Sequence, residues 1–153
     1  MLGTVIADNA NVELHLDPIR AILADRTQIA QIVMNLITNA SDSLEGKAGS
    51  IVVTVVEVPD TKTTRTFIRL TVTDTGCGMT SEVRARLFDP FFTTKDRGRG
   101  LGMSAVQGIL RAHGGRISVE SSPGHGSSFQ VDLPESPSSR NAQHQTPVDF
   151  QRH

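Results

Sequence analysis

The segment from Asp25 to Leu44 constrains the fold most, because both of its faces are committed. At about 100° per residue, Ile29, Val33, Leu36, Ile37, Ala40 and Leu44 form one apolar stripe. Gln28, Gln31, Asn35, Asn39 and Asp42 form a second stripe nearly opposite. A solvent face would carry Lys and Glu. This one carries four neutral amides and one acid, which suits the wall of a polar cavity. Asp25 fits an N-cap with Gln28 as its capping-box partner, and the helix should stop near Gly46. A chain built on this helix needs a core on one side and a lined cavity on the other.

The rest of the chain supplies the partners. Residues 11–23 alternate around Pro18, which predicts two short strands with a turn at Asp17-Pro18. Residues 51–58 and 66–74 predict an antiparallel pair joined by the polar turn Pro59 to Arg65. Thr80 fits the cap of a short helix ending near Leu87. Residues 89–100 show no period and read as a mobile loop. A further helix is expected from about Leu101 to the C-cap signal Gly114-Gly115. Residues 116–121 and 127–133 predict two last strands around the turn SPGHG. The order β-β-α-β-β-α-α-β-β implies a mixed sheet with helices on one face, a two-layer α/β sandwich. From Pro134 the chain is polar and reads as tail or linker, so residues 1–133 form the expected domain and 134–153 the tail.

Bulk properties exclude several classes. The 153 residues suit one domain with a real core, and 37% hydrophobic with 20% charged residues is ordinary for a soluble protein. A net charge of −1 offers no field toward nucleic acid or anionic membrane, and the absence of Trp and Tyr removes the usual base-stacking platforms. No apolar run reaches a membrane span, and the N-terminus lacks the regions of a signal peptide. The single cysteine, Cys77, precludes an internal disulfide and fits a reducing compartment.

Four short segments then carry the chemistry: NLITNA (Asn35 to Ala40), DTGCGM (Asp74 to Met79), LFDPFFTTK (Leu87 to Lys95) and GRGLGM (Gly98 to Met103). Asn35 and Asn39 lie four apart on one helical face, and an asparagine carbonyl is a hard oxygen ligand suited to Mg²⁺. Taken alone, the pair reads as two amides on a wet surface. Asp74 ends an apolar strand. Its carboxylate can accept from the exocyclic amine of adenine, whereas guanine presents an oxygen there. Gly76 and Gly78 let the backbone turn close to a base. Cys77, with no His nearby in sequence, is expected to be a small buried residue rather than a nucleophile. GRGLGM is neither a P-loop, lacking Lys-Ser or Lys-Thr, nor a dinucleotide fingerprint, since no strand leads into it. It precedes a helix, so amides at Gly100, Leu101 and Gly102 can meet phosphate oxygens at a positive helix end.

In content and order these segments resemble the ATP-binding catalytic domain of sensor histidine kinases, within the superfamily that also holds gyrase, the mismatch-repair ATPases and a heat-shock chaperone. The resemblance runs from about Asp25 to Leu133, and NASDSL brings it nearest the nitrogen-regulation branch. It implies a Bergerat-type sandwich with a mainly antiparallel sheet and an ATP lid, and it implies ATP and Mg²⁺ as cofactors. By resemblance Asn39 holds the metal, with Asn35 and Asp42 near the phosphates. Asp42 stands where many members have Lys, so charge neutralisation falls partly to the lid. Asp74, Gly76, Gly78 and Met79 surround the adenine, and Ser127 adds a water-bridged contact. Phe88, Phe91 and Phe92 form the F box. Lys95, Arg97 and Arg99 bring positive charge, and which of them meets the γ-phosphate stays open. Gly98, Gly100, Leu101, Gly102 and Met103 follow as the lid glycines and their helix start. Asn35, Asn39 and Lys95 are the catalytic candidates.

Hydrolytic members place glutamate one turn before the metal asparagine, where it orients the attacking water. Asn35 stands there and cannot take a proton at neutral pH. No histidine has the context of a phospho-acceptor: His15 lies in a strand-like segment and His113 at a helix end, and both read as structural. The resemblance thus implies a catalytic domain whose partners are a separate helical dimerisation and acceptor domain and a downstream receiver domain. It implies a cytoplasmic, monomeric fragment with little autophosphorylation, in contact with neither nucleic acid nor membrane. Alternatives are an anti-sigma-factor-type kinase or binding module, a hydrolytic ATPase of the superfamily, and a pseudokinase that only binds. A hybrid kinase would use the tail to reach a receiver.

Overall fold

A computed structural model describes residues 8–94 and 102–137. The elements are β1 (Ala10–Leu16), α1 (Arg26–Ser43), β2 (Gly49–Pro59), β3 (Thr66–Asp74), α2 (Ser81–Arg86), α3 (Gly102–Ala112), β4 (Arg116–Ser121) and β5 (Ser127–Pro134). The five strands form one sheet in the order β1-β2-β3-β5-β4. β1 pairs parallel to β2 and every other pair is antiparallel. Two local hairpins, β2-β3 and β4-β5, are joined at a seam between β3 and β5 that runs from Phe67 opposite Pro134 to Asp74 opposite Ser127. The mixed, mainly antiparallel sheet with helices packed against it is the two-layer sandwich expected.

Alternation explains the two faces of the sheet. Ile51, Val53, Val72, Phe129, Val131 and Leu133 are buried toward the helices. α1 contributes Ile32, Leu36, Ile37 and Ala40 to that core, and α3 contributes Met103, Val106, Ile109 and Leu110. Fully burying one such Leu or Ile stabilises the fold by about 1.5–3 kcal/mol. The apolar stripe read from α1 omitted Ile32, which is fully buried, while Ile29 and Val33 are only half-buried. Both the sheet and α3 pack on α1, so its buried sector is wider than one stripe.

Asp25 caps α1 as expected, its carboxylate accepting from the Gln28 amide at 3.0 Å. The reciprocal half of the capping box is taken by another residue. The Asp25 amide donates to His113 Nε2 at 3.2 Å, while His113 Nδ1 lies 2.8 Å from the Ile109 carbonyl oxygen. His113 is therefore structural, a tie between the end of α3 and the start of α1.

Two expectations are corrected. Residues 17–23 form no second strand. Asp17 extends the pairing with Val55 by one bond; the chain then runs as a strap, held where the Arg20 amide meets Glu57 and the Ala21 carbonyl accepts from Ser136. The tail also begins later than Pro134. Glu135 and Ser136 are buried, Glu135 donating its amide to Thr66 and accepting from Arg20 at 2.9 Å. On the sheet face away from the helices, buried Asp132 receives Arg69 in a fork of 2.7 and 2.9 Å and Arg116 at 2.9 Å.

Candidate functional site

One cleft of about 410 Å³ opens where α1, the turn after β3, α2 and the start of α3 converge. Asn35, Asn39 and Asp42 line it from α1, with Ser43 one turn beyond Asn39. Gly78 and Met79 line it from the turn after β3, Gly102 and Met103 from α3, and Ser127 from β5. With Phe92 of the F box, the cleft thus gathers nine of the residues that the sequence nominated, from five separate stretches of chain. Its described lining includes two carboxylates, Asp42 and Glu45, and no Lys or Arg.

Beneath the cleft lies Asp74, 3% exposed at the end of β3. Its Oδ1 accepts from Ser43 Oγ and from the Gly76 amide, both at 2.8 Å. Its Oδ2 is buried with no hydrogen-bond partner among the described residues. Burial pushes the Asp74 carboxyl above the usual carboxylate range, and the hydrogen bonds from Ser43 and Gly76, with the nearby Ser127 backbone, oppose part of that shift. A buried acceptor without a donor is costly unless a ligand supplies one.

Three glycine positions around Asp74 admit no side chain. A Cβ on Gly76 would overlap Ser43 Oγ and the Ser43 carbonyl. Gly78, at φ +67°, and Gly126, at φ +73°, face the carbonyl oxygens of Ser122 and Asp74 so closely that a Cβ would collide with each. Ser121 Oγ ties this region together, accepting from the Met79 amide, donating to the Gly126 carbonyl, and lying 2.9 Å from Ser127 Oγ.

Asn35 and Asn39 differ in their partners. Asn35 Nδ2 donates to the Gly102 carbonyl at 3.1 Å, which leaves its Oδ1 as the open acceptor. Asn39 sits one turn on in the cleft wall, half-buried. Among the described residues no group of three or more His, Cys, Asp or Glu is placed to hold a metal ion. A Mg²⁺ would thus rely on amide oxygen and on ligand phosphates, a combination that suits it.

The F box divides. Phe92 lines the cleft, with the Arg86 guanidinium 4.5 Å from its ring centroid. Phe91 is outside the cleft lining, 76% exposed and at φ +65°, a conformation rare for an aromatic residue. Lys95, Arg97, Gly98, Arg99, Gly100 and Leu101 lie outside the described residues.

Cys77 corrects an expectation: its side chain is exposed at the cleft wall rather than buried. Its backbone is the fastened part, the amide donating to the Ser43 carbonyl and the carbonyl accepting from Gly124. Sequence reasoning missed Ser43, Ser121 and Gly126. Ser43 carried a usable signal, since it continues the four-residue spacing of Asn35 and Asn39. Ser121 had none, because its role depends on the β4-β5 turn folding back.

Comparison with known proteins bears on the family and the fold. The family described as histidine kinase-, DNA gyrase B-, and HSP90-like ATPase matches residues 24–137. The sensor protein FixL of Bradyrhizobium diazoefficiens is 40% identical over 137 residues, covering 87% of this chain and 26% of FixL. The chain therefore spans about a quarter of the length of that curated relative. The nucleotide-free catalytic domain of histidine kinase ThkA matches with a TM-score of 0.69 at 31% identity, over 86% of this chain and 83% of that one. Full-length ShkA in complex with AMPPNP matches with the same TM-score and identity, over 82% of this chain and 25% of that one. The chain belongs to the histidine kinase-, DNA gyrase B- and HSP90-like ATPase family, as an ATP-binding catalytic domain of the sensor histidine kinase type.

Proposed function

We propose that this domain binds ATP·Mg²⁺ in the α1 cleft and presents the γ-phosphoryl group to a histidine on a separate helical dimerisation domain, from which it passes to a receiver aspartate. The observation that carries the nucleotide half is the buried, unpartnered Asp74 Oδ2 beside a glycine cradle. That oxygen suits the exocyclic amine of adenine and opposes the carbonyl of guanine. Gly76, Gly78, Met79 and Ser127 enclose the base in this reading. Asn39 holds the metal, with Asn35 and Asp42 beside the phosphates. When bound, Mg²⁺ supplies charge neutralisation at the phosphate oxygens.

Lys95, Gly98, Arg99, Gly100 and Leu101, leading into Gly102 and Met103, supply the remaining phosphate contacts, and Phe91 belongs to the F box beside them. The acidic described lining supports this division of labour, since the neutralising charge must come from elsewhere. Asn35 disfavours the hydrolytic reading: an amide cannot serve as a base, and its nitrogen is occupied by Gly102. The contribution of the domain is then positioning and shielding from water. Residues 1–133 with the short buried extension to Ser136 form the domain, and the rest is a linker, consistent with a cytoplasmic setting. The fragment alone is monomeric and transfers little phosphate.

Thermal unfolding with ADP, ATP and GTP, each with and without Mg²⁺, tests the site in wild type and Asp74→Asn. Ligand at a hundred times its dissociation constant stabilises a native state by about 2.7 kcal/mol. Adenine-selective stabilisation that disappears in Asp74→Asn is expected. Equal stabilisation by GTP, or none by any nucleotide, would overturn the assignment. A brisk ATPase rate from the isolated domain would overturn the non-hydrolytic part.

A further inference from the structure

Ser43 contacts the strand-end carboxylate through its hydroxyl and the turn that follows it through its carbonyl. Its hydroxyl lies 2.8 Å from Asp74 Oδ1 and 2.7 Å from the Ala40 carbonyl oxygen. One hydroxyl proton serves one acceptor at a time, so Ala40 is the resting alternative within its own helix. The Ser43 carbonyl accepts the Cys77 amide at 2.9 Å, which brings the DTGCGM turn against the end of α1. Gly76, between these contacts, has no room for a Cβ because Ser43 fills the space. The hydroxyl and the Gly76 amide both meet the same oxygen, Oδ1, while Oδ2 has no full hydrogen bond among the described residues and the Ser127 backbone lies close to the carboxyl.

We propose that Ser43 is a specificity-determining positioning residue: its hydroxyl fixes the rotation of the Asp74 carboxylate so that Oδ2 is offered to the exocyclic amine of adenine. This rests on reading the cleft as an adenine-nucleotide site. An unrestrained carboxylate could rotate to satisfy both oxygens from the Gly76 amide and solvent, and would then offer no single directed acceptor. The same hydrogen bond favours the ionised carboxylate against the burial that opposes it. Among the described residues, the titratable groups that line the adjoining cleft are Asp42 and Glu45 from the end of α1 and Cys77 from the turn after β3. Opposite Asp74, β2 places Ile51 and β5 places Ser127, neither of them charged.

The test is the binding of ATP and GTP to the full chain by calorimetry, across pH, for wild type, Ser43→Ala and Ser43→Thr. Ser43→Ala is expected to weaken ATP about tenfold and to leave GTP unchanged, so the selectivity ratio falls by the same factor. ATP affinity falls as Asp74 takes a proton, and in Ser43→Ala that fall begins at higher pH than in wild type. Ser43→Thr keeps the hydroxyl and restores both readouts. If Ser43→Ala does not fold, Ser43→Cys keeps the volume and replaces a strong donor with a weak one, and the same loss of selectivity is expected. Equal weakening of ATP and GTP, or an unmoved pH profile, overturns the proposal, since a packing role alone predicts those. Wild type that binds neither nucleotide overturns the nucleotide reading and this inference with it. Wild type that prefers ATP beside a Ser43→Ala that prefers it equally overturns this inference alone.

Discussion

Asn35, in the middle of α1, donates its side-chain amide to the carbonyl of Gly102, the first residue of α3. At the other end of α3, His113 accepts the backbone amide of Asp25 at the start of α1. The two helices that flank the cleft are therefore tied at both ends of α3. Asn35→Ala should lower stability by about 0.5–1.5 kcal/mol, the ordinary net contribution of one hydrogen bond. The midpoint of urea denaturation, at unchanged slope, is the measurement.

Two buried carboxylates should respond to acid with opposite signs. At Asp132, burial alone would raise the carboxyl, but the hydrogen bonds and charges of Arg69 and Arg116 bring it below the usual carboxylate range. Its stabilisation is present above the unfolded value of about 3.9 and is lost as pH falls through the lower folded value. Asp132→Asn should therefore be less stable at neutral pH and should lose less stability below about pH 4. Asp74 is raised in the folded state, so its ionised form opposes folding at neutral pH. The opposition grows as pH rises through the window between the unfolded and folded values. Ligand-free Asp74→Asn should be at least as stable as wild type at neutral pH, while losing nucleotide stabilisation. Chemical denaturation of the three proteins from acid to neutral pH checks both signs.

Gly126 and Gly124 share the left-handed conformation, at φ +73° and +77°, but differ in surroundings. A Cβ on Gly124 meets nothing within 4 Å, whereas one on Gly126 strikes the Asp74 carbonyl. Gly124→Ala should cost about 1 kcal/mol for conformation alone. Gly126→Ala should cost clearly more and should also displace Asp74, removing the ATP-dependent shift in melting temperature. Equal losses in the two variants would contradict the close approach.

Cys77 is the single cysteine and is exposed at the cleft wall, so thiol labelling reports on one position. Saturating ADP should slow its alkylation by iodoacetamide, read by intact mass, and GTP should not. Labelling at equal rates with and without ADP would place the ligand elsewhere.

Phe91 stands at φ +65° with its ring mostly in solvent. Phe91→Gly should raise stability by up to about 1 kcal/mol, because the strain is removed and little burial is lost. A decrease would show that the ring has packing that outweighs the strain.

Much of this was legible in the sequence, because the strongest signals are local. The strand signals in residues 51–58 and 66–74, the Thr80 cap and the Gly114-Gly115 stop each depend on neighbours within a few positions. The cleft residues were legible for a related reason, since Asn35 and Asn39 share a helical face and Asp74 ends an apolar run. What stayed hidden depends on distant partners. The segment after Pro18 alternates like a strand, yet it is drawn off by Glu57 and Ser136. Asp132 looks like any surface acid until Arg69 and Arg116 close on it from two other strands. Cys77 resembles a core residue in composition, but the pull of Ser43 and Gly124 on its backbone turns the side chain outward. Ile32 was missed because a helix covered from two sides hides more than one stripe.

The seam between the hairpins has a consequence for how the chain matures. Asp74 comes from one hairpin and Ser127 from the other, and they face each other at the last rung of that seam. Each hairpin closes over a short loop, whereas the seam closes over more than fifty residues and belongs to the slower class of event. The pocket therefore does not exist in either half. A nucleotide is recognised only by chains in which both halves have met, so binding itself serves as a reporter of completed folding.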